Sequence, residues 1–251
     1  MLTERGQFGY KAFMEIYIIL CIIAFFAGFI QGLSGFGSVL LSLPLLAFFL
    51  DVKTAIPLVA LYGIALAVFL LVQLRQFWDW KKIYPLCASS FFGAPVGVCL
   101  LNRLDAQIIQ WIVGLVLLLY ALYSLFTRPV ARELRNGWAY LAGFLAGCLG
   151  GAISASGPPV IVYTSLQPWS KNQIKVTLQG FFVISGLAII ISQAMGGLMT
   201  ERELFFFFTS LPVLLLGTWA GSLLCGKIRE DCYRNIVFIL LGLLGLVMII
   251  K

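Results

Sequence analysis

The stretch Gln31-Gly-Leu-Ser-Gly-Phe-Gly-Ser38 interrupts an apolar run with three glycines and two serines. Glycine adopts backbone angles that other residues avoid, so Ser34 to Gly37 predicts a break between two half-helices. Irregular backbone at membrane depth must be buried in protein or must line a cavity. Close packing of small residues between helices is the alternative, but the density of glycine exceeds what one helix contact needs.

A second break is predicted in the other half of the chain, at Ser154-Ala-Ser-Gly-Pro-Pro159. Proline is favoured in the first turn of a helix because it lacks the N–H group that would be unpaired there. Gly157 is therefore expected to close the break, and Pro158 to begin a new half-helix. The corresponding half-helix of the first half is expected to begin near Ser38. A proline kink with only a packing role is the alternative.

Composition predicts the surroundings of both breaks. Of the 251 residues, 61% are hydrophobic and 11% are charged, against roughly 25% charged in a typical soluble domain. Apolar runs fill almost the whole chain, and a bilayer crossing needs about 20 apolar residues. The predicted fold class is an all-α integral membrane protein with about 8 to 10 transmembrane or half-membrane helices.

The apolar segments fall into two related halves, residues 1–127 and 137–251, joined by a linker at 128–136. The repeat is visible as Lys53-Thr-Ala-Ile56 against Lys171-Asn-Gln-Ile174, and as Gly93-Ala-Pro-Val-Gly97 against Gly217-Thr-Trp-Ala-Gly221. Around the breaks two registers are open. One pairs Gly28, Gly32 and Pro44 with Gly143, Gly147 and Pro159; the favoured one pairs Ser34 and Gly37 with Ser154 and Gly157.

Each half is expected to cross the membrane an odd number of times, which inverts the second half relative to the first, as in many transporters. The second segment of each half is short for a full crossing, so a hairpin that enters only in part is left open. One predicted face carries Arg5, Lys11, Lys53, Arg103, Arg202 and Lys251; the other carries Arg75, Lys81, Lys82, Arg128, Arg132, Arg135, Lys171, Lys175, Lys227, Arg229 and Arg234. The richer face is predicted to be cytoplasmic, which makes the 128–136 linker cytoplasmic and both termini non-cytoplasmic.

The two breaks predict an anion site at mid-membrane, because free N–H groups and the positive end of the helix dipole attract negative charge. No apolar segment carries a charged residue or histidine near its centre, so the usual residues of a proton relay or a cation site are missing. Lys171, Asn172 and Lys175 are expected to draw an anion to the mouth, or else to be ordinary positive-inside charge. The expected binding residues are Gln31, Ser34, Gly35, Phe36, Gly37, Ser38, Ser154, Ser156, Gly157, Pro158 and Gln179.

Other function classes lack their characteristic residues. The sequence has no histidine, no CxxC pair and no HExxH, GxSxG or P-loop motif, so no enzymatic activity, cofactor or metal is expected. The net charge of +7 is spread over short loops, which argues against nucleic acid as a partner. The expected partners are a small anion and the lipid bilayer, and a homodimer is left open.

Four motifs follow one another over nearly the whole chain: Gly28-x-x-x-Gly32-x-x-Gly35-x-Gly37 with Pro44 downstream, Gly93-Ala-Pro-x-Gly97, Ser156-Gly-Pro-Pro-Val-Ile-Val-Tyr163, and Gly217-x-x-x-Gly221. In this order they resemble the sulfite exporter TauE/SafE family, although Ser38 and Gln173 depart from its fuller pattern. The resemblance implies a permease of the bacterial inner membrane for sulfite, sulfonates such as sulfoacetate, or related small anions, usually working as an exporter. An anion-selective channel and an uptake permease for a related sulfur oxyanion stay open as alternatives.

Overall fold

The computed structural model describes residues 2–127, 134–225 and 230–250. These ranges contain no strand and are almost entirely helical, so the all-α prediction is confirmed. The ten α-helices are α1 Leu2–Ser34, α2 Ser38–Leu46, α3 Val52–Leu74, α4 Trp80–Arg103, α5 Ala106–Phe126, α6 Asn136–Ile153, α7 Gly157–Ser165, α8 Lys171–Met195, α9 Glu201–Leu224 and α10 Glu230–Ile250.

Polar residues directly before the apolar runs begin several of these helices. Asp51 accepts a hydrogen bond from the Lys53 N–H at the start of α3, and Asp79 accepts one from the Lys81 N–H at the start of α4. Ser170 caps α8 in the same way. Such side chains satisfy N–H groups that have no partner inside the helix.

The outer surface has the character of a protein that lies in lipid. Within the described ranges, six helices are long and apolar enough to cross a membrane, namely α3, α4, α5, α8, α9 and the Glu15–Ser34 part of α1. Large apolar side chains such as Phe92, Phe208 and Leu119 are exposed on the outside, where water would make contiguous apolar surface unfavourable. The chain is therefore an integral membrane protein with several crossings.

Both predicted breaks are present. In the first, Gly35 and Gly37 have φ angles of 82° and 101°, and α2 begins at Ser38 as predicted. In the second, α7 begins at Gly157 with proline in its first turn. The left-handed residue there is Ser154, with a φ of 57°, whereas Gly157 has no positive φ. The half-helix therefore begins at Gly157, one residue before the predicted Pro158, and the left-handed turn of the break is made by Ser154.

The helices on either side of each break form a hairpin. Gly37 lies beside Ile30, and α2 runs back along α1, so that Leu41, Leu45 and Phe49 share one groove with α1 side chains. In the second half, α7 packs against α6 in the same manner. How far each hairpin enters a membrane stays a prediction.

The helix pairs are the same when the two halves are exchanged. α1 packs on α9 as α6 packs on α4, while α3 packs on α8 and α5 on α10. The glycines at these contacts define the register. Gly28 lies against the carbonyl group of Leu214 as Gly147 lies against that of Ser90, so Gly28 and Gly147 are equivalent. Gly35 and Ser154, which are seven residues further along in each half, are the left-handed residues of the two breaks. The register thus pairs Gly35 with Ser154, one residue away from the favoured pairing of Ser34 with Ser154.

Helices that correspond in the two halves run antiparallel where they touch. In the α5–α10 pair, Gly114 lies beside Ile249 and Gly242 lies beside Ala121. An inverted repeat requires this direction, although the inversion itself stays a prediction. Of the features used to predict it, residues 128–133 of the linker and Lys227, Arg229 and Lys251 lie outside the described ranges.

Candidate functional site

The two breaks, far apart in sequence, line one cavity of about 50 Å³. A cavity needs about 10 to 15 Å³ to hold one water, so this one has room for a few waters or a small anion. It lies between the hairpins and the middle of α3 and α8. Its lining consists of Gln31, Gly37, Val39, Leu40, Ala60, Gly63, Ile64, Ser154, Ala155, Ser156, Gly157, Ile161, Phe182, Gly186 and Ile189.

The cavity is rich in backbone N–H groups that lack an acceptor. Val39, Leu40 and Gly157 stand in the first turns of α2 and α7, where helical geometry supplies no partner. No hydrogen bond among the described residues uses the N–H groups of Gly37, Ala155 or Ser156 either. All six of these residues line the cavity. A buried N–H without an acceptor costs free energy, so the cavity favours a ligand that carries several acceptor oxygens.

Two side chains add further donors. Gln31, 3% exposed, accepts hydrogen bonds at Oε1 from both the N–H and the hydroxyl of Ser38. Its Nε2 has no acceptor among the described residues. Ser156 is 8% exposed, and its hydroxyl likewise makes no hydrogen bond within the described part of the chain. No residue that lines the cavity is charged.

Some of the residues expected to bind do not reach this cavity. The Ser34 hydroxyl donates to the Ile30 carbonyl at 2.7 Å and to the Phe36 carbonyl, so it holds the turn together. Pro158 faces an outer groove beside Trp138. Of the expected binding residues, the structure brings Gln31, Gly37, Ser154, Ser156 and Gly157 together at the cavity, and places Ser34, Gly35, Phe36, Ser38, Pro158 and Gln179 around it.

Each hairpin tip is anchored to a long helix. The Gln179 Nε2 on α8 donates to the Gly35 carbonyl. The Ser154 hydroxyl donates to the Ile56 carbonyl of α3 at 2.8 Å and accepts from the Gln193 Nε2 at 3.1 Å. These bonds hold the irregular backbone at the cavity, which explains why Gln179 is buried without lining it.

The residues expected to steer an anion lie at the start of α8. A side chain at Gly35 would meet the Lys175 stem at 3.4 Å, and the Lys175 Nζ lies 3.4 Å from the Sγ of Cys225. Lys171 and Asn172 are exposed one turn earlier. These three residues therefore lie at the end of the protein next to the first hairpin tip, and none of them lines the cavity.

The apolar wall of the cavity was not predicted. Ala60, Gly63 and Ile64 come from α3, and Phe182, Gly186 and Ile189 come from α8. Each of these residues lies within an apolar run that resembles other membrane spans, so no local sequence signal identifies it as a cavity residue. Only the packing of α3 against α8 places these residues beside the two turns.

Comparison with known proteins agrees with this architecture. Residues 20–248 match the family described as "Sulfite exporter TauE/SafE". The chain is also similar to the "Probable inner membrane transporter protein TsaS" of Comamonas testosteroni, at 25% identity over 170 residues that cover 66% of this chain and 71% of that protein. No solved structure matches. Since the family match runs from within α1 to within α10 and so covers most of the chain, the chain belongs to the sulfite exporter TauE/SafE family of membrane transporters.

Proposed function

We propose that the protein is a secondary transporter that exports a small anion, such as sulfite or an organosulfonate like sulfoacetate, and that the cavity between the two hairpins binds it. The observation that carries this proposal is one uncharged cavity lined by six residues whose N–H groups have no acceptor among the described residues, together with the side-chain donors of Gln31 and Ser156. Hydrogen bonds to an ionised acceptor are roughly twice as strong as those between neutral groups. An anion therefore compensates these donors better than water does.

The family description supports sulfite as the cargo, and the name of the relative supports the inner membrane as the location. Two broken helices that meet at one cavity support a transporter, because such sites can face one side or the other while the long helices stay intact. Lys171, Asn172 and Lys175 would raise the local anion concentration at one mouth through their charge and polarity.

Replacement of the Ser156 hydroxyl tests the site directly. Ser156→Ala is expected to weaken sulfite binding by roughly 10- to 100-fold, since a hydrogen bond to a charged group contributes about 1.5 to 3 kcal/mol. Thermal stability should stay unchanged because the hydroxyl has no partner among the described residues. Calorimetric titration of sulfite in detergent measures the affinity, and counterflow of labelled sulfite in proteoliposomes separates a transporter from a channel.

Ser165→Ala is the matched control for this variant. Ser165 lies at the other end of α7, and its hydroxyl donates to the Val162 carbonyl of the same helix at 2.8 Å. Its loss should leave sulfite affinity unchanged. Parent-like affinity in Ser156→Ala would show that the anion does not contact this hydroxyl and would move the proposed site elsewhere.

The proposed orientation rests on the basic residues. Two of the loops that are proposed to be cytoplasmic lie together, since the Lys82 Nζ lies 4.9 Å from the centre of the Trp169 ring. At the opposite ends of the same helices, the Asn102 side chain donates to the Gly196 carbonyl. The end that holds Lys81, Lys82, Lys171 and Lys175 is thus the more basic one, and the positive-inside rule assigns it to the cytoplasm.

Epitope tags check this orientation. A tag at either terminus is expected to react with an impermeant antibody or label on intact spheroplasts, because both termini are proposed to be non-cytoplasmic. A tag inserted beside Arg132 should react only after the membrane is permeabilised. Labelling of the Arg132 tag on intact spheroplasts, or protection of the C-terminal tag, would reverse the proposed topology.

A further inference from the structure

The orientation of the Gln31 amide at the cavity is determined by its neighbours. Its Oε1 accepts from the Ser38 N–H at 3.2 Å and from the Ser38 hydroxyl. A backbone N–H can only donate, so the amide oxygen, and not the nitrogen, must face Ser38. The NH₂ group is then left for another acceptor, and the described residues offer none.

The free NH₂ group belongs to a side chain that lines the cavity and is 97% enclosed by protein, since Gln31 is 3% exposed. The unpaired amide oxygens of Gln179 and Gln193 are fully sealed inside the protein, whereas the Gln31 Nε2 is not among such sealed atoms. It therefore borders open space, and the open space next to Gln31 is the cavity.

The hydroxyl of Ser156 can donate or accept, so it suits either sign of charge. The Gln31 amide, with its oxygen occupied, can only donate. The second half has no equivalent group, because the register that pairs Gly35 with Ser154 pairs Gln31 with Gly150. One amide thus makes a contact that the repeat does not duplicate.

We propose that Gln31 is the charge-selecting side chain of the cavity: held by Ser38, its amide presents only N–H donors to the ligand, and together with the backbone N–H groups it makes the site accept an anion and reject a cation. Ser38 is the positioning residue. This inference rests on the proposed function, because it assigns the selectivity of the same site.

Gln31→Glu tests the inference, with methanesulfonate as the probe because its single negative charge does not change with pH. Parent affinity for methanesulfonate should be independent of pH. In Gln31→Glu the introduced carboxyl is neutral in acid, where it still has one O–H donor, and affinity should lie close to that of the parent. As pH rises and the carboxyl ionises, affinity should fall by about 100-fold or more, because like charges a few ångströms apart repel strongly in a partly dry site. A buried site disfavours the ionised form, so the loss should set in nearer to neutral pH than for a carboxyl in water.

Among the described residues, no other titratable group at the cavity would change the pH dependence of methanesulfonate binding. The residues that line the cavity include no titratable group. α9 faces this part of α1 with Thr218 and Ser222, which do not titrate. From α8, Lys175 packs against Gly35 with its Nζ beside Cys225, and both residues are common to the parent and the variant.

Two further variants complete the test. Gln107→Glu makes the same chemical change at an exposed position at the start of α5, and its affinity should equal that of the parent at every pH. Gln31→Met removes the donors without adding charge and should weaken binding about tenfold at every pH, which keeps the inference testable if Gln31→Glu does not fold.

Each result has a distinct meaning. A loss in Gln31→Glu that is reversed by acid supports charge selection. An equal loss at all pH values would indicate a structural role and would overturn the inference, as would parent-like affinity in Gln31→Met. If the parent binds neither methanesulfonate nor sulfite, the proposed function itself fails, and the inference fails with it.

Discussion

Alanine in place of Gly221 is expected to destabilise the protein by about 3 kcal/mol or more, at the upper end of what overpacking usually costs. A Cβ atom at this position would overlap the carbonyl oxygen of Phe29 on α1, and a Cβ at Gly97 on α4 would overlap that of Cys148 on α6. Neither obstacle is a side chain that can rotate away. The helices would have to separate, and with them the hairpins that carry both turns of the cavity.

Thermal unfolding in detergent measures this effect for Gly221→Ala and Gly97→Ala. Gly242→Ala is the matched control within another helix, α10, because a Cβ there would meet the Ala121 Cβ at an ordinary 3.6 Å. Alanine favours the helical state over glycine by about 1 kcal/mol, so this control should unfold at the same or a higher temperature. Parent-like stability in Gly221→Ala would mean that α1 and α9 are not held in close contact.

Gly157→Val is expected to reduce anion affinity by about 100-fold or more while the protein still folds, because it removes space and covers the donors at the start of α7. Gly157 lines the cavity, and a Cβ there would meet only the Ile161 Cδ1 at 3.3 Å and the Phe182 ring at 3.8 Å. Both neighbours are ends of side chains that can adjust. The φ angle of Gly157 is not positive, so valine causes no left-handed strain there.

Size-exclusion profiles, thermal stability and sulfite titration together check this result. Gly35→Val is the informative comparison: Gly35 does not line the cavity, but its φ of 82° disfavours a β-branched residue. That variant should lose stability together with affinity, whereas Gly157→Val should lose affinity alone. Full sulfite affinity in a well-folded Gly157→Val protein would place the anion outside this cavity.

Several helix starts are marked by local signals in the sequence. Asp51, Asp79 and Ser170 precede apolar runs and cap α3, α4 and α8, and Ser38 was correctly predicted to begin α2. The second break was harder to predict. Ser154 adopts the left-handed conformation although glycine is the usual choice, and its bonds to Ile56 and Gln193 stabilise a backbone that its sequence neighbours do not specify.

The register of the repeat shows a similar limit. The spacing to the sequence matches downstream favoured Ser34 opposite Ser154, whereas the contacts of Gly28 and Gly147 align the two halves one residue further along. Residue identity is a weak guide here because the equivalence concerns backbone shape: Gly35 and Ser154 are different residues with the same handedness.

Local chemistry was therefore sufficient for the membrane class, for about 8 to 10 helices and for the existence of both broken turns, because apolar runs and glycine or proline breaks act over a few residues. Packing between distant segments determined which polar groups face the cavity. Ser34 and Ser156 look equally suited to bind an anion in the sequence, but the Ser34 hydroxyl donates to Ile30 in its own turn while that of Ser156 is left facing the space between the hairpins. The difference depends on what lies beside each turn in the folded protein, and sequence neighbours do not encode those contacts.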